Sequence, residues 1–178
     1  LSMSDRITII GAGTWGGALG NLTQINGYEP TIWSRNCGQI LADAVRDRVA
    51  IISAVSMSGV RAVIEQLQGS IEADQIIVTA TKGLDANTNF TPAKLCQSAF
   101  PQNPIVVLSG PNLSLEIQQG LPAATVIASH HAEAATKIQE IFSSPKFRVY
   151  TNDDPVGVEI AGTVKNVIAI AAGTCDGL

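Results

Sequence analysis

The sequence predicts an α/β fold, a doubly wound and mostly parallel sheet that runs out into one long helix. Three observations predict it. Short β-branched runs alternate with segments of helical periodicity from residue 6 onward. Hydrophobic residues make up 46% of the 178 residues but aromatics only 4%, so the core is built from Ala, Ile, Val and Gly. That composition suits strands buried on both faces under helices of small residues. Finally, the first β-branched run feeds directly into a glycine-rich turn that opens a helical pattern.

Taken in order, the apolar runs at 6–10, 31–33, 49–54, 75–80, 105–109, 124–128 and 147–150 read as strands. The segments 16–26, 39–46, 59–67, 92–99, 113–119 and 132–142 read as helices between them. Gly27, Gly69, the stretch from Gly83 to Asp85 and the stretch from Pro101 to Pro104 are the punctuation. From Asp153 onward one apolar helical pattern runs to Leu178; Asp153 or Asp154 suits its cap and Pro155 its first turn. A helix this apolar needs partners on more than one side. The expected organisation is therefore a start at 1–5 that is disordered or a cloning remnant, a nucleotide-binding domain at 6–152, and at 153–178 the beginning of a helical substrate domain that continues beyond this chain.

Charge and composition exclude several classes. A net charge of −4 and a pI near 5.0 do not suit a nucleic-acid or anionic-membrane partner. Lys146 and Arg148 flank Phe147 without forming a basic patch. Cys37, Cys96 and Cys175 show neither metal spacing nor a disulfide framework and read as reduced thiols of a cytoplasmic protein. His130 and His131 have no acid or cysteine at ligand spacing, so no metal site is expected. Residues 1–5 do not read as a signal peptide. The closest approach to a membrane span, Val156 to Gly173, contains Glu159, Lys165 and Asn166, so no membrane insertion is expected.

Gly11, Gly13 and Gly16 form G-x-G-x-x-G. Gly11 permits the turn off the strand, Gly13 leaves room for a pyrophosphate to approach the backbone, and Gly16 lets the helix pack close to the sheet. The helix start then presents N–H groups and a positive dipole end to the phosphates. The position of the motif, after the first strand and before the first helix, favours a Rossmann-type dinucleotide site over a purely structural turn. The second strand ends in Trp33-Ser34-Arg35, without the carboxylate that usually meets the ribose 2′-OH. Arg35 is either a partner for a 2′-phosphate or a solvated loop arginine. Trp33 reads as core.

Lys82, in "TATKGLD", stands just past the end of a strand, as does "LSGPNLS" with Ser109, Gly110 and Pro111. Ligands of open α/β sheets sit outside such ends, although ordinary βα loops look the same. Lys165 lies on an apolar helix face, and Glu159, six residues away, is at the wrong spacing for an ion pair on that helix. Such a lysine either extends its head to water or is held for proton transfer.

The blocks "GAGTWG", "ATKGL", "LSGPN" and "FRVYTNDDPVGVEIAGTVKNVIAIAAGTCDGL", in this order and spacing, resemble the front of bacterial NAD(P)-dependent glycerol-3-phosphate dehydrogenases. The resemblance spans Ile7 to Leu178, and "GTVKNVIAIAAG" and "ATKG" are its most specific parts. It implies reversible reduction of dihydroxyacetone phosphate to sn-glycerol 3-phosphate with NADPH or NADH, for glycerophospholipid synthesis. It also implies a cytoplasmic enzyme and a homodimer formed through the following domain. By position, Gly11, Gly13, Thr14, Trp15, Gly16, Arg35, Lys82 and Ser114 match cofactor-binding residues. Trp15 would lie along the cofactor as a flat wall, the alternative being a tryptophan packed into the core. Lys82, Gly110 and Asn112 match substrate-binding positions, and Lys165 matches the catalytic lysine. Hydride would arrive at the ketone carbon, Lys165 would stabilise the charge on the oxygen and protonate it, and Lys82 would orient the substrate.

The sequence departs from the family at several places. Many members carry Thr where Asn112 stands and Ala where Ser114 stands. The stretch from Arg35 to Val49 is short and lacks a Tyr-Leu-Pro-like segment. Members continue into a helical domain with an Asp and a Ser-Arg-Asn cluster that grips the substrate phosphate. The isolated chain is therefore expected to keep a cofactor site and show little or no turnover. The rival readings are another Rossmann dehydrogenase, acting on a hydroxy or sugar acid, and a non-catalytic NAD(P) sensor.

Overall fold

A computed structural model describes residues 6–177; the expected disordered or cloning-derived start at 1–5 lies outside the described residues. The seven strands are β1 (Arg6–Ile10), β2 (Glu29–Trp33), β3 (Ala50–Ser53), β4 (Ile76–Thr79), β5 (Ile105–Ser109), β6 (Ala123–Ala128) and β7 (Phe147–Asn152). They form one sheet in the order β2-β1-β3-β4-β5-β6-β7. Every neighbouring pair is parallel except β5 and β6. The helices are α1 (Thr14–Ile25), α2 (Leu41–Ala44), α3 (Val60–Leu67), α4 (Pro92–Ala99), α5 (Ser114–Gln118), α6 (Ala132–Phe142) and α7 (Pro155–Asp176).

The inner strands β3, β4 and β5 are buried at every position because both of their faces are covered, whereas the edge strands β2 and β7 are partly exposed. Ile7, Ile9, Ile52, Val78, Val106 and Leu108 pack with α1, α5 and α6 on one face. Ile10, Ile51, Ile77, Ile105 and Val107 pack with α2, α3 and α4 on the other, where Val158 of α7 joins them. The alternation is the period of two that strand geometry imposes. The expected doubly wound, mostly parallel sheet is thus the observed one.

The differences from expectation have local causes. β2 begins two residues early, at Glu29, and takes in Pro30. A missing N–H is tolerated there because β2 is an edge strand that pairs only with β1. The helix expected at 39–46 shrinks to Leu41–Ala44. The Ala44 carbonyl accepts the Thr8 hydroxyl and, at 3.0 Å, Arg48 Nε; the Val45 carbonyl accepts Gln75 Nε2 at 2.7 Å; and Asp47 turns to a φ of 54°. The acceptors that would continue the helix are engaged from outside it. β6 runs antiparallel to β5, to which it is joined through a connection that carries the five-residue α5.

α7 is the unusual element. Asp154 caps it, accepting the Gly157 N–H at 2.8 Å, and Pro155 takes the first position. Only Pro155 and Glu159 of this helix are buried, whereas Val156, Val167, Ile168 and Ile170 are exposed. Length and composition alone would let its 22 residues cross a membrane. Its first half nevertheless docks on the sheet, with Glu159 inside the protein and Val158 against the core.

The glycine turn sets how α1 meets the sheet. Gly11 has a φ of +121°, and a Cβ there would lie 2.6 Å from the Ala54 carbonyl oxygen. A Cβ at Gly16 would lie 1.8 Å from the Gly11 carbonyl oxygen. Alanine is intrinsically the better helix former by about 0.5–1 kcal/mol, so Gly16→Ala separates packing from propensity. Urea denaturation is expected to show a loss of about 3 kcal/mol or more from overpacking. A gain would show that α1 does not sit on the turn this tightly.

Candidate active site

The site lies at the carboxyl ends of β1, β3, β4 and β5. The chain passes from β1 to β2 on one side and from β3 to β4 on the other, so a crevice opens between the ends of β1 and β3. The Gly11 N–H donates to the Trp33 carbonyl at 2.8 Å, and the Ala54 N–H to the Ile10 carbonyl at 2.8 Å. These bonds align the loop starts. A cavity of about 320 Å³ opens above them, with Trp15, Val55, Met57, Lys82, Asn112 and Ser114 in its lining. A separate groove of about 280 Å³ between α1 and α5 is lined by Leu22, Ile25, Ile117 and Leu121 and carries only Lys146 as a charge.

The geometry fits a dinucleotide. A Cβ built on Gly13 meets nothing within 4 Å, so this glycine is not required for packing within the chain. Gly13 is the N-cap of α1, no side chain caps the helix, and no acid stands in its first turn. The first N–H groups of α1 therefore face the crevice without a side-chain acceptor, the arrangement that receives a phosphate.

Lys82 leaves the end of β4 and donates from Nζ to the Gly110 carbonyl at 3.0 Å. Gly110 is confined between the Ala124 carbonyl oxygen and Thr125 Cα, each 3.1 Å from where its Cβ would be. α7 crosses the end of β5 at Gly162, where a Cβ would lie 2.4 Å from Ser109 Oγ. This close crossing delivers Lys165, half-buried, to the same place. Burial lowers the Lys82 pKa first, and the Lys165 charge lowers it further. No carboxylate contributes to that shift.

Asn112 is oriented by its neighbours. Its Nδ2 donates to Thr125 Oγ1 at 3.0 Å, and that hydroxyl donates to the Ser109 carbonyl at 3.0 Å. The Thr125 proton is thereby engaged, which fixes the amide with Nδ2 toward Thr125. Asn112 Oδ1 is buried and has no hydrogen-bond partner among the described residues. Ser114 opens α5 at the cavity edge. Trp15 flanks the cavity and packs partly on the core, so the two readings of it are compatible.

Of the expected residues, Trp15, Lys82, Asn112 and Ser114 line the cavity, whereas Gly11, Gly13, Gly16, Gly110, Lys165, Thr14 and Arg35 are not in its lining. Thr14 is exposed at the α1 start, its carbonyl accepting Gln118 Nε2 at 3.2 Å. Arg35 is exposed in the turn after β2, two residues past the Trp33 carbonyl that holds Gly11. Trp33 is buried, as expected, and its Nε1 donates to the Gln39 carbonyl at 2.8 Å.

Sequence reasoning missed the support of the Lys82 loop. Arg61 of α3 grips Asp85 through two bonds, Nε to Oδ1 at 2.8 Å and Nη2 to Oδ2 at 2.6 Å. The Thr88 hydroxyl and N–H also donate to Oδ2. Arg61, then Thr88, hold the Asp85 carboxyl well below the usual carboxylate range. No local spacing signals a pair 24 residues apart.

Phosphate-ready backbone at a topological switch point, with paired cations at the neighbouring strand ends, defines the class: a dinucleotide-binding domain of the dehydrogenase type. Comparison with known proteins narrows it. Residues 37–135 match the family model of the NAD-dependent glycerol-3-phosphate dehydrogenase N-terminus, and residues 154–178 that of its C-terminus. The chain is 56% identical to a glycerol-3-phosphate dehydrogenase (NAD(P)+) of Trichormus variabilis, over 97% of this chain and 56% of that protein. It is 55% identical to the enzyme of that name from a Nostoc species, with the same coverage. The crystal structure of glycerol-3-phosphate dehydrogenase from Coxiella burnetii superposes with a TM-score of 0.88 at 28% identity, over 99% of this chain and 62% of that one. The chain belongs to the NAD-dependent glycerol-3-phosphate dehydrogenase family, and it spans about half the length of the curated relatives it matches.

The lysine pair makes a prediction about protons. Lys165→Met removes the second cause of the Lys82 shift and leaves burial. NMR titration of the Lys82 ammonium should then place its pKa higher than in the parent and still below that of an exposed lysine. An unchanged Lys82 titration would separate the two side chains.

Proposed function

We propose that this sequence forms the cofactor-binding part of a reversible glycerol-3-phosphate dehydrogenase, which reduces dihydroxyacetone phosphate to sn-glycerol 3-phosphate for glycerophospholipid synthesis. The observation that carries the reading is the packing of Gly162 of α7 against Ser109 and Lys82, one turn before Lys165, in a chain whose α1 start has no side-chain cap. When bound, the nicotinamide cofactor supplies the hydride. The α1 start and Gly13 would receive the pyrophosphate, Trp15 would flank the ring system, and Ser114 and Thr14 would line its path. Arg35, set beside the glycine turn without a competing acid at the strand end, would face the 2′-phosphate of NADPH.

The substrate roles follow from charge. An alkoxide forming at the substrate C2 oxygen needs a nearby cation and then a proton. Lys165 would supply both. Lys82, held on the Gly110 carbonyl, would orient the substrate beside Asn112, whose free Oδ1 can accept only from a hydroxyl or other donor. Two cations without a neighbouring acid suit a phosphorylated substrate better than a neutral one.

The domain boundary belongs to the same reading. Residues 6–152 would bind the cofactor, and α7 would begin the substrate domain. The relatives are longer, and the exposed Val156, Val167, Ile168 and Ile170 offer the surface on which their further helices would pack. Homodimerisation through that part and a cytoplasmic location complete the proposal. With the substrate-phosphate contacts on those further helices, the 178-residue chain alone would bind cofactor and turn over little.

Three variants test this in the full-length dehydrogenase. Gly13→Ala should keep the fold within about 1 kcal/mol yet weaken dinucleotide binding by about tenfold or more, read by calorimetry. Arg35→Ala should raise the Kd for NADPH by about tenfold, as expected for a lost charge-assisted contact, and leave NADH unaffected. Lys165→Ala should abolish turnover of dihydroxyacetone phosphate at unchanged cofactor Kd. Full turnover in that variant would point to a sensor, and activity only on a hydroxy or sugar acid would point to another dehydrogenase.

A further inference from the structure

Glu159 is a buried carboxylate that the chemistry above does not use. It is 5% exposed and sits six residues before Lys165 on α7, but it faces a different element. Its Oε1 accepts the Ala93 N–H at 2.9 Å. Ala93 is in the first turn of α4, where the Thr91 hydroxyl oxygen also accepts, from the Lys94 N–H at 3.3 Å. A carboxylate from α7 and the N-cap of α4 thus share the open donors at the positive end of one helix.

The backbone of Glu159 makes a second link. Its carbonyl accepts the Thr163 hydroxyl at 2.9 Å, and Thr163 Oγ1 accepts the Gly83 N–H at 3.2 Å. Gly83 directly follows Lys82, and Thr163 precedes Lys165 by two residues. The two lysines are therefore joined through Gly83, Thr163 and Glu159 to the start of α4.

Apolar packing does not fix α7 in this way. Only Pro155 and Glu159 of the helix are buried, and most of the rest of its surface is open. A greasy contact lets a helix slide or rotate, whereas a hydrogen bond to a particular N–H does not. The carboxylate is also costly as a packing group. Burial pushes its pKa up, the nearby Thr91 hydroxyl and the Ala93 N–H only partly oppose this, and Oε2 has no hydrogen-bond partner among the described residues.

We propose that Glu159 is a positioning residue: through the Ala93 N–H and the Thr163–Gly83 bridge it sets the rotation and axial register of α7, and with them the placement of Lys165 against Lys82. This rests on the dehydrogenase reading, because it gives Lys165 a task that depends on placement.

The test uses the full-length dehydrogenase with Glu159→Ala, Glu159→Gln, Thr163→Val and Lys165→Ala. Glutamine keeps an acceptor for the Ala93 N–H and should retain kcat within about threefold. Glu159→Ala and Thr163→Val should each lower kcat by about tenfold or more, as a misplaced catalytic group does, at unchanged Kd for NADPH. Labelling of Lys165 by pyridoxal 5′-phosphate, fixed with borohydride and mapped by peptide, should change in rate in both and return to the parent value in Glu159→Gln. If Glu159→Ala does not fold, Thr163→Val and Glu159→Gln decide. Parent kcat and labelling in Thr163→Val, or a glutamine variant as impaired as alanine, would overturn the proposal. Undiminished turnover in Lys165→Ala would instead sink the dehydrogenase reading on which it rests.

Discussion

The approach of α1 to the end of β1 is the constraint on which the site depends. The Gly16 Cα stands where any side chain would strike the Gly11 carbonyl, and Gly11 itself presses on the Ala54 carbonyl. These two contacts draw β1, α1 and the loop after β3 into one compact corner. With α1 so close, its first N–H groups point into the crevice rather than over it. The middle glycine of the motif has a different role, since nothing among the described residues occupies the space beside Gly13. Two of the glycines serve packing and one leaves an opening.

Across that corner the loops after β4 and β5 are braced from several directions. Asp85 ties the Lys82 loop to α3, the Lys82 ammonium ties it to Gly110, and Gly83 ties it to α7. Thr125 holds both Asn112 and the Ser109 carbonyl. Groups at the ends of β4 and β5 are thus positioned by side chains from elements distant in sequence. Such preorganisation allows electrostatic stabilisation without rearrangement during reaction.

Most of the fold was legible in the sequence because its signals are local. The alternation of β-branched runs with helical patterns reflects burial of the inner strands on both faces, and the Asp154–Pro155 pair marks the α7 start through its own hydrogen bond and fixed φ. What was not legible is non-local. The short α2 ends where Thr8, Arg48 and Gln75 reach its last carbonyls, and no propensity reports that. At the site, Lys82, Asn112, Ser114 and Trp15 could be placed at one end of the sheet from strand ends and the resemblance alone. The Arg61–Asp85 clamp and the Glu159–Ala93 bond could not. For Glu159 the sequence showed only the wrong partner, because helical spacing relates it to its own helix while its carboxylate answers to another.

The bare apolar side of α7 has a consequence in time. A nucleotide-binding domain of this kind folds as a unit while the ribosome is still adding residues, at about 5–20 per second. In relatives nearly twice as long as the aligned stretch, α7 emerges before the segments that follow it. A helix with Val167, Ile168 and Ile170 exposed in this way would stand uncovered until such segments are made. In that interval such a helix would be open to capture by chaperones or by neighbouring chains on the same message.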